Sequence, residues 1–505
     1  MRQSREATQF YPAPGASPAS GNIGRRDVEL VTQVSLDRWP RFAQQALAWR
    51  GPASVAVYVP CPPDHPLAPQ YLAHLQQLAQ QLDTALSEAV AGEHAAAASV
   101  SAAAAAAAAA AGVAGQRSGN PPAPSPPLLA VSILHSRHVA AEGAGVLGTR
   151  PGPPPAEAPE APGSSSGTTT TTTSTTSATT STSANTSTRA GTDVYEHLYP
   201  INALRNAALA AARSSHVFLV DGDFIPSAGL RADLLLGPAA AGSSSGSGSS
   251  SSDVGASPLD GSDAHGRPVM WVVPAFELAA PAAAAPAAAG AGGGSLPAAV
   301  AVAEVPDEQT AAVPRTLGQL LSYEHGAPQQ GGSKVVGGAP RRPVLRPFHC
   351  GRYPQPVPSV DYAGWLADAA AAARQEGQQQ QQQQQEAGVA GSGELLWREV
   401  PYHEYFEPYG IVRRDQVPFY DERFRGYGLN KVQHAYHMAA AGFQFRLLRR
   451  HFCVTVPHAR SASYRAAFGT AADPQQRLRV ERLYADFKAA MREAHGYEYG
   501  GAATS

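Results

Sequence analysis

The chain has 505 residues, with 38 Lys and Arg against 40 Asp and Glu and a formal net charge of −2. That balance excludes bulk electrostatics as a driver of nucleic-acid or anionic-membrane binding. Three cysteines, Cys61, Cys350 and Cys453, permit one bridge at most and exclude a disulfide scaffold.

Long Ala, Gly, Ser, Thr, Pro and Gln runs cannot bury a core. Setting them aside leaves roughly 300 residues of ordinary composition, the size of one large α/β domain. Residues 1–27 read as a disordered polar tail without the apolar run of a signal peptide. No stretch reaches the roughly 20 apolar residues of a membrane helix, so no membrane anchor is visible.

Val28–Leu36 reads as a strand, an amphipathic segment follows to Trp49, and Ala53–Pro60 reads as a second buried strand. Tyr71–Val90 reads as a helix and Leu128–Leu134 as another strand. The strand–helix–strand order predicts a parallel α/β sheet. A single domain over residues 28–470 is then interrupted by low-complexity insertions at about 95–127, 143–189, 239–266, 279–298, 324–340 and 375–393. Residues 471–505 form a C-terminal helix and tail. Asn185-Thr186-Ser187 is a glycosylation sequon, but in a Ser/Thr run it arises easily by chance.

The chemistry centres on Val217-Phe218-Leu219-Val220-Asp221-Gly222-Asp223, a buried strand running into two aspartates one residue apart. Alternate residues of an extended segment point the same way, so both carboxylates can converge. Two hard oxygen donors suit Mg2+ or Mn2+, which keep positions open for substrate phosphates. The plain alternative is a solvated Asp-Gly-Asp turn. Upstream, Pro200 favours a helix start, and Ile201, Leu204, Ala208 and Ala212 recur at helical spacing. Arg205 and Asn206 fall near the beginning of that helix.

Tyr199-Pro-x-Asn202-x-Leu-Arg205-Asn206 and Val220-Asp-x-Asp-x-x-Pro-Ser-x-Gly-Leu230 resemble the LARGE-type glycosyltransferase family, glycosyltransferase family 49. Further segments carry the same resemblance. Val31-Thr32-Gln33 through Asp37-Arg38 opens the domain. Val272-Val-Pro-Ala-Phe-Glu277, Phe348-His349 and Tyr362-x-x-Trp365 follow. Glu407-Pro-Tyr-x-x-Val412 precedes Tyr420-Asp421-Glu-Arg-Phe-x-Gly-Tyr-Gly-x-Asn430-Lys431, and Pro457-His458 closes the block. Pro268–Glu277 reads as one strong strand, Pro306–Tyr323 has a helical period, and residues 418–431 read as a sugar-facing loop of glycines, aromatics and carboxylates. Glu407–Val412 reads as a strand, Val432–Ala441 as a helix stopped by Gly442, and Phe443–Leu448 and Phe452–Val456 as closing strands.

The resemblance implies a GT-A-type, Rossmann-like fold and an inverting transfer of glucuronic acid or xylose from a UDP-sugar to a glycan or glycoprotein acceptor in the Golgi lumen. It implies Mn2+ (or Mg2+) held by Asp221 and/or Asp223, with His458 as a third ligand. Family members often carry a histidine at the position occupied here by Thr455. Arg205 and Asn202 fall on the donor side, with phosphate contacts for Arg205 or, alternatively, a salt bridge on the helix surface. Thr32, Gln33 and Asp37 sit at a strand end within reach of a nucleotide. Asp421 is the first candidate for the general base and Glu407 the second. Asn430 and Lys431 suit a sugar hydroxyl or carboxylate. The competing class is a catalytically inactive GT-A-like glycan-binding or scaffold protein.

Overall fold

The computed structural model describes residues 8–11, 27–110, 128–136, 198–236, 259, 266–279, 313–325, 344–348, 360–383, 397–455 and 474–500. The strands are β1 (Thr8–Tyr11), β2 (Val28–Ser35), β3 (Ala53–Val59), β4 (Leu129–His135), β5 (His216–Leu219), β6 (Phe224–Pro226), β7 (Val269–Val273) and β8 (Ala275–Ala279). After them come β9 (Glu324–His325), β10 (Val344–Pro347), β11 (Trp397–Val400), β12 (Tyr409–Arg413), β13 (Gln444–Leu448) and β14 (Cys453–Thr455). The helices are α1 (Trp39–Trp49), α2 (Ala68–Ala110), α3 (Ile201–Ala211), α4 (Leu230–Leu236), α5 (Leu317–Leu321), α6 (Tyr362–Gln383), α7 (Val432–Ala440) and α8 (Pro474–His495).

Nine strands form one mixed sheet in the order β1-β4-β3-β2-β5-β12-β7-β13-β11. β2, β3, β4 and β5 pair in parallel, as the strand–helix–strand order predicts. β12 runs antiparallel between β5 and β7, so the sheet is mixed rather than parallel. Side chains alternate across it with period two. Val28, Leu30, Val55, Val57 and Phe218 join one core with Trp39, Phe42 and Leu75. Val31, Ala56, Val217 and Leu219 join the other with Leu204 and Ala208 of α3. Helices therefore cover both faces, the solution open to strands buried on both sides.

A smaller sheet, β6-β14-β8-β10-β9, abuts the large one. The single strand read over Pro268–Glu277 is in fact two, β7 and β8, in different sheets. Pro274 cannot donate to a ladder, and the chain changes sheet there.

Other differences also have physical causes. The helix read to Val90 continues to Ala110 through the alanine run, because alanine has the highest helix propensity. α6 likewise carries into the glutamine run as far as Gln383. The helical period over Pro306–Tyr323 yields only α5, which starts at a Thr316–Gln319 capping box; residues 306–312 lie outside the described residues. Thr8–Tyr11, inside the stretch read as a tail, pairs with β4 as an edge strand. Glu324–His325 pairs with β10, inside a stretch read as insertion. Leu259, within the Ser/Gly stretch, is buried and its carbonyl accepts from His216 Nε2 at 3.0 Å. Cys61 and Cys453 are buried free thiols, and Cys350 lies outside the described residues.

Candidate active site

β2 has β3 on one side and β5 on the other, so the strand order reverses between β2 and β5. Open α/β sheets bind ligands at the carboxyl ends of strands where the order reverses. β5 delivers the Asp221-Gly222-Asp223 turn to that crevice. Gly222 is needed there because a Cβ would lie 2.5 Å from Val34 Cγ1 and 3.3 Å from the Gln33 carbonyl.

Asp221 is the hub. Its Oδ1 accepts from Arg205 Nη2 at 2.7 Å. Its Oδ2 accepts from Tyr409 Oη at 2.8 Å and from Lys431 Nζ at 3.0 Å. Lys431 also donates to Tyr409 Oη at 2.7 Å and stands 3.4 Å from Glu407 Oε2. Its ammonium lies 4.4 Å from the Tyr409 ring centroid. Burial alone would raise the Asp221 pKa, but Lys431, Arg205 and the hydrogen bonds from Arg205 and Tyr409 overcome it and hold the carboxyl well below the usual range. Burial works to lower Lys431 and is overcome by Asp221 and Glu407, so its pKa is raised and the lysine stays charged. Burial pushes the Tyr409 phenol up, and Asp221 and Asp223 push it further. Arg205 is buried, not on a helix surface, so its ion pair differs from the surface salt bridge that was its alternative role.

The α3 asparagines tie this hub to the 418–431 loop. Asn202 Nδ2 donates to the Asp421 carbonyl at 2.9 Å, and its Oδ1 accepts from Arg205 Nη1. Asn206 Nδ2 donates to the Tyr420 carbonyl and to Glu422, while its Oδ1 accepts from Tyr420 N. Arg205 Nη1 reaches Asn430 Oδ1 at 3.1 Å. The loop read as sugar-facing is largely packed. Tyr420 stacks on His434 at 3.6 Å between centroids, and Phe424 is fully buried. Asp421 accepts from the Arg423 side chain on both oxygens, with Nη2 to Oδ2 at 2.6 Å. Glu407, by contrast, joins Lys431 beside the cleft.

A cleft here is lined by Val31, Arg205, Asp221, Tyr409, Tyr420 and Lys431, among others. Thr32 Oγ1 is buried beside it without a protein partner, and Gln33 accepts from Tyr199 Oη at 2.5 Å. Asp37 flanks the strand end in a short 3-10 turn. Gln45 of α1 is a positioning residue that the motifs do not contain. Its Nε2 donates to the carbonyls of Asp221 and Phe224, each at 2.7 Å. The available signal was a lone amide on the apolar stripe of Phe42, Ala46 and Trp49.

The hard oxygen donors that could hold a metal here are Asp221 and Asp223. A carboxylate offers about four lone-pair sites. Asp221 accepts three hydrogen bonds, and Asp223 adds two more oxygens next to it. Among the described residues no three His, Cys, Asp or Glu side chains gather into a metal site. Mg2+-like ions need only one or two carboxylates when substrate phosphates complete the shell. β14 ends at Thr455, whose backbone pairs with Phe224 next to Asp223; His458 lies outside the described residues, as do His349 and the sequon.

A charged cleft at the reversal point of a helix-covered mixed sheet defines an α/β protein with a candidate ligand site at its strand ends. The comparisons narrow the class. The family described as "Glycosyl-transferase for dystroglycan" matches residues 152–289 and 373–496. The chain belongs to this glycosyltransferase family. Among similar proteins, the xylosyl- and glucuronyltransferase LARGE1 of Mus musculus is 33% identical over 119 residues, 22% of this chain and 15% of that protein. The LARGE2 enzyme of Mus musculus is 27% identical over 264 residues, 52% of this chain and 25% of its own length. The glycosyltransferase-like protein gnt13 of Dictyostelium discoideum is 45% identical over 64 residues, 12% of this chain and 10% of its own. The chain thus spans a quarter or less of the length of these relatives.

Proposed function

We propose that the chain is a metal-dependent, inverting glycosyltransferase of GT-A type. It moves xylose or glucuronic acid from a UDP-sugar to a glycan or glycoprotein acceptor. The observation that carries this reading is the Asp221 carboxylate, held ionised by Arg205, Lys431 and Tyr409 at the strand-order reversal with Asp223 beside it. The sugars are those of the LARGE1 and LARGE2 relatives, which are xylosyl- and glucuronyltransferases.

Asp223 and the remaining lone pair of Asp221 would hold Mn2+ or Mg2+, with His458 as the expected third protein ligand. Such an ion supplies Lewis-acid neutralisation of a leaving diphosphate. The protein's own part is to hold the site in shape. Arg205 and Lys431 fix Asp221 in its ionised form, and Gln45 fixes the turn from behind. Thr32 and Gln33, near the end of β2, would border the nucleoside in this reading. For the general base we favour Glu407 over Asp421, because Arg423 occupies both Asp421 oxygens while Glu407 stands 3.4 Å from the cleft-lining Lys431. Lys431, shared by Asp221 and Glu407, orients that base and is placed to meet a sugar carboxylate.

Among the described residues no helix is long and apolar enough to cross a membrane. The Golgi lumen remains the setting we propose from the family. The test is UDP release from a panel of UDP-sugars, with and without Mn2+, on the wild type and Asp223→Ala. Mn2+-dependent turnover of UDP-xylose or UDP-glucuronic acid, lost in the variant, supports the reading. Absence of both turnover and Mn2+-dependent UDP binding would favour the non-catalytic glycan-binding alternative.

A further inference from the structure

Three non-glycine residues among those described hold a left-handed backbone: Arg50, Tyr405 and Leu429. Arg50 ends α1, a common place for that conformation. The other two each lie two residues ahead of a member of the Glu407–Lys431 ion pair. Tyr405, with φ of 70°, precedes Glu407 by two residues; Leu429, with φ of 53°, precedes Lys431 by two. Glu407 and Lys431 then meet at 3.4 Å. A bulky residue in this region is strained and persists only where its surroundings over-determine it.

Tyr405 is over-determined in that way. Glu404, before it, is clamped by Lys488 of α8 at 2.7 Å. Phe406, after it, is buried against Phe445. The Tyr405 ring itself stays out: it is 45% exposed, among the most exposed large apolar side chains described, and leans on Tyr484 at 6.2 Å. Fixing an aromatic face in solvent by a strained backbone has a cost and needs a use. Two residues of chain span at most about 7 Å, so the Tyr405 and Glu407 backbones lie no further apart than that.

We propose that Tyr405 is the stacking platform of an acceptor subsite. Its exposed face receives the C–H face of a pyranose whose hydroxyl is presented to Glu407, and the left-handed backbone sets the angle between them. A π-face is electron-rich and sugar C–H groups are weakly positive, so the contact discriminates shape and not charge. This inference rests on the transferase reading for the role of Glu407, but the platform itself is a binding site that can be measured alone.

The probes are methyl β-D-xyloside and methyl β-D-glucuronide, followed by saturation-transfer NMR on the full chain. The variants are Tyr405→Phe, which keeps the ring, and Tyr405→Asn, which tolerates the left-handed backbone but removes it. Melting temperatures of both variants establish that they fold. The expected result is transfer to one C–H face of a glycoside in the wild type and in Tyr405→Phe. In Tyr405→Asn the affinity falls about five- to tenfold, the size of one aromatic contact. Equal binding by Tyr405→Asn, or no glycoside binding by the folded wild type, overturns the subsite. Mn2+-dependent UDP binding, measured separately, reports on the transferase reading: its failure with glycoside binding intact would sink the donor chemistry and leave the platform standing.

Discussion

Lys431 shows how one residue can serve both structure and chemistry. It is only 13% exposed in its side chain and lies between Asp221 and Glu407. Removing one partner of a buried pair leaves charge without compensation, at a cost of about 3 kcal/mol or more. Lys431→Met therefore leaves two carboxylates facing each other with only Arg205 to oppose them. We expect a loss of that order in urea unfolding at pH 7. Adding Asp221→Asn should recover part of it, because the two sites share one network and their effects are not additive. Gln45 makes the complementary case. Gln45→Ala strands two buried carbonyls, each costing roughly 1–3 kcal/mol. A lower melting temperature with weakened Mn2+-dependent UDP binding is expected, whereas a variant as stable as the wild type would show that the turn holds itself.

At the scale of elements, the strand ends that build the cleft were legible because their periodicity is undiluted. β2, β3, β4, β5 and α3 fall within one or two residues of the segments read from apolar pattern and Pro200. The paired aspartates could be placed because they follow a strand without a break. What the pattern does not encode is which sheet a strand joins. β7 and β8 read as one run because both are apolar; only Pro274 marks the change. The 418–431 loop shows a related ambiguity: aromatics between glycines suit either a ligand or a core, and here Tyr420 and Lys431 line the cleft while α3 and α7 pack against the rest. Composition likewise hid helix in the alanine and glutamine runs, since low complexity does not imply low propensity. Gly410 of β12 is the element-level test. A Cβ there would lie 2.6 Å from the Trp271 carbonyl and from Met270 Cε. Backbone cannot yield as a side chain can, so Gly410→Ala should push β12 off β7 and swing Tyr409 away from Asp221. The expected stability loss is roughly 1–3 kcal/mol, with lost UDP binding; unaltered binding would mean that Tyr409 does not need its strand.

For the molecule as a whole, buried titratable groups set how stability follows pH. His434 is buried under Tyr420, and burial lowers its pKa from 6.5 to about 3. The folded chain keeps it neutral, while the unfolded chain binds a proton as pH falls below 6.5. Its contribution is fully present above 6.5 and is lost on acidification toward 3. Half-buried His437, lowered to about 4 by burial and by His495, acts in the same direction. Asp221 extends the loss further into acid, because its depressed pKa makes folding depend on the ionised form. Glu29 runs the other way. Burial raises its pKa above 4.5 despite hydrogen bonds from the backbone N–H groups of Arg213 and Ser214. The folded state favours the protonated acid, so the burden on stability grows as pH climbs past 4.5. The two opposing groups predict a shallow optimum, which mutation should tilt. His434→Gln should flatten the decline between pH 6.5 and 4, and Glu29→Gln should improve stability at pH 7 relative to its value at pH 4. Urea midpoints at pH 4, 5.5 and 7 decide both. A steep acid decline between pH 6.5 and 4 surviving in His434→Gln would assign the loss to His437 and remove His434 from the account.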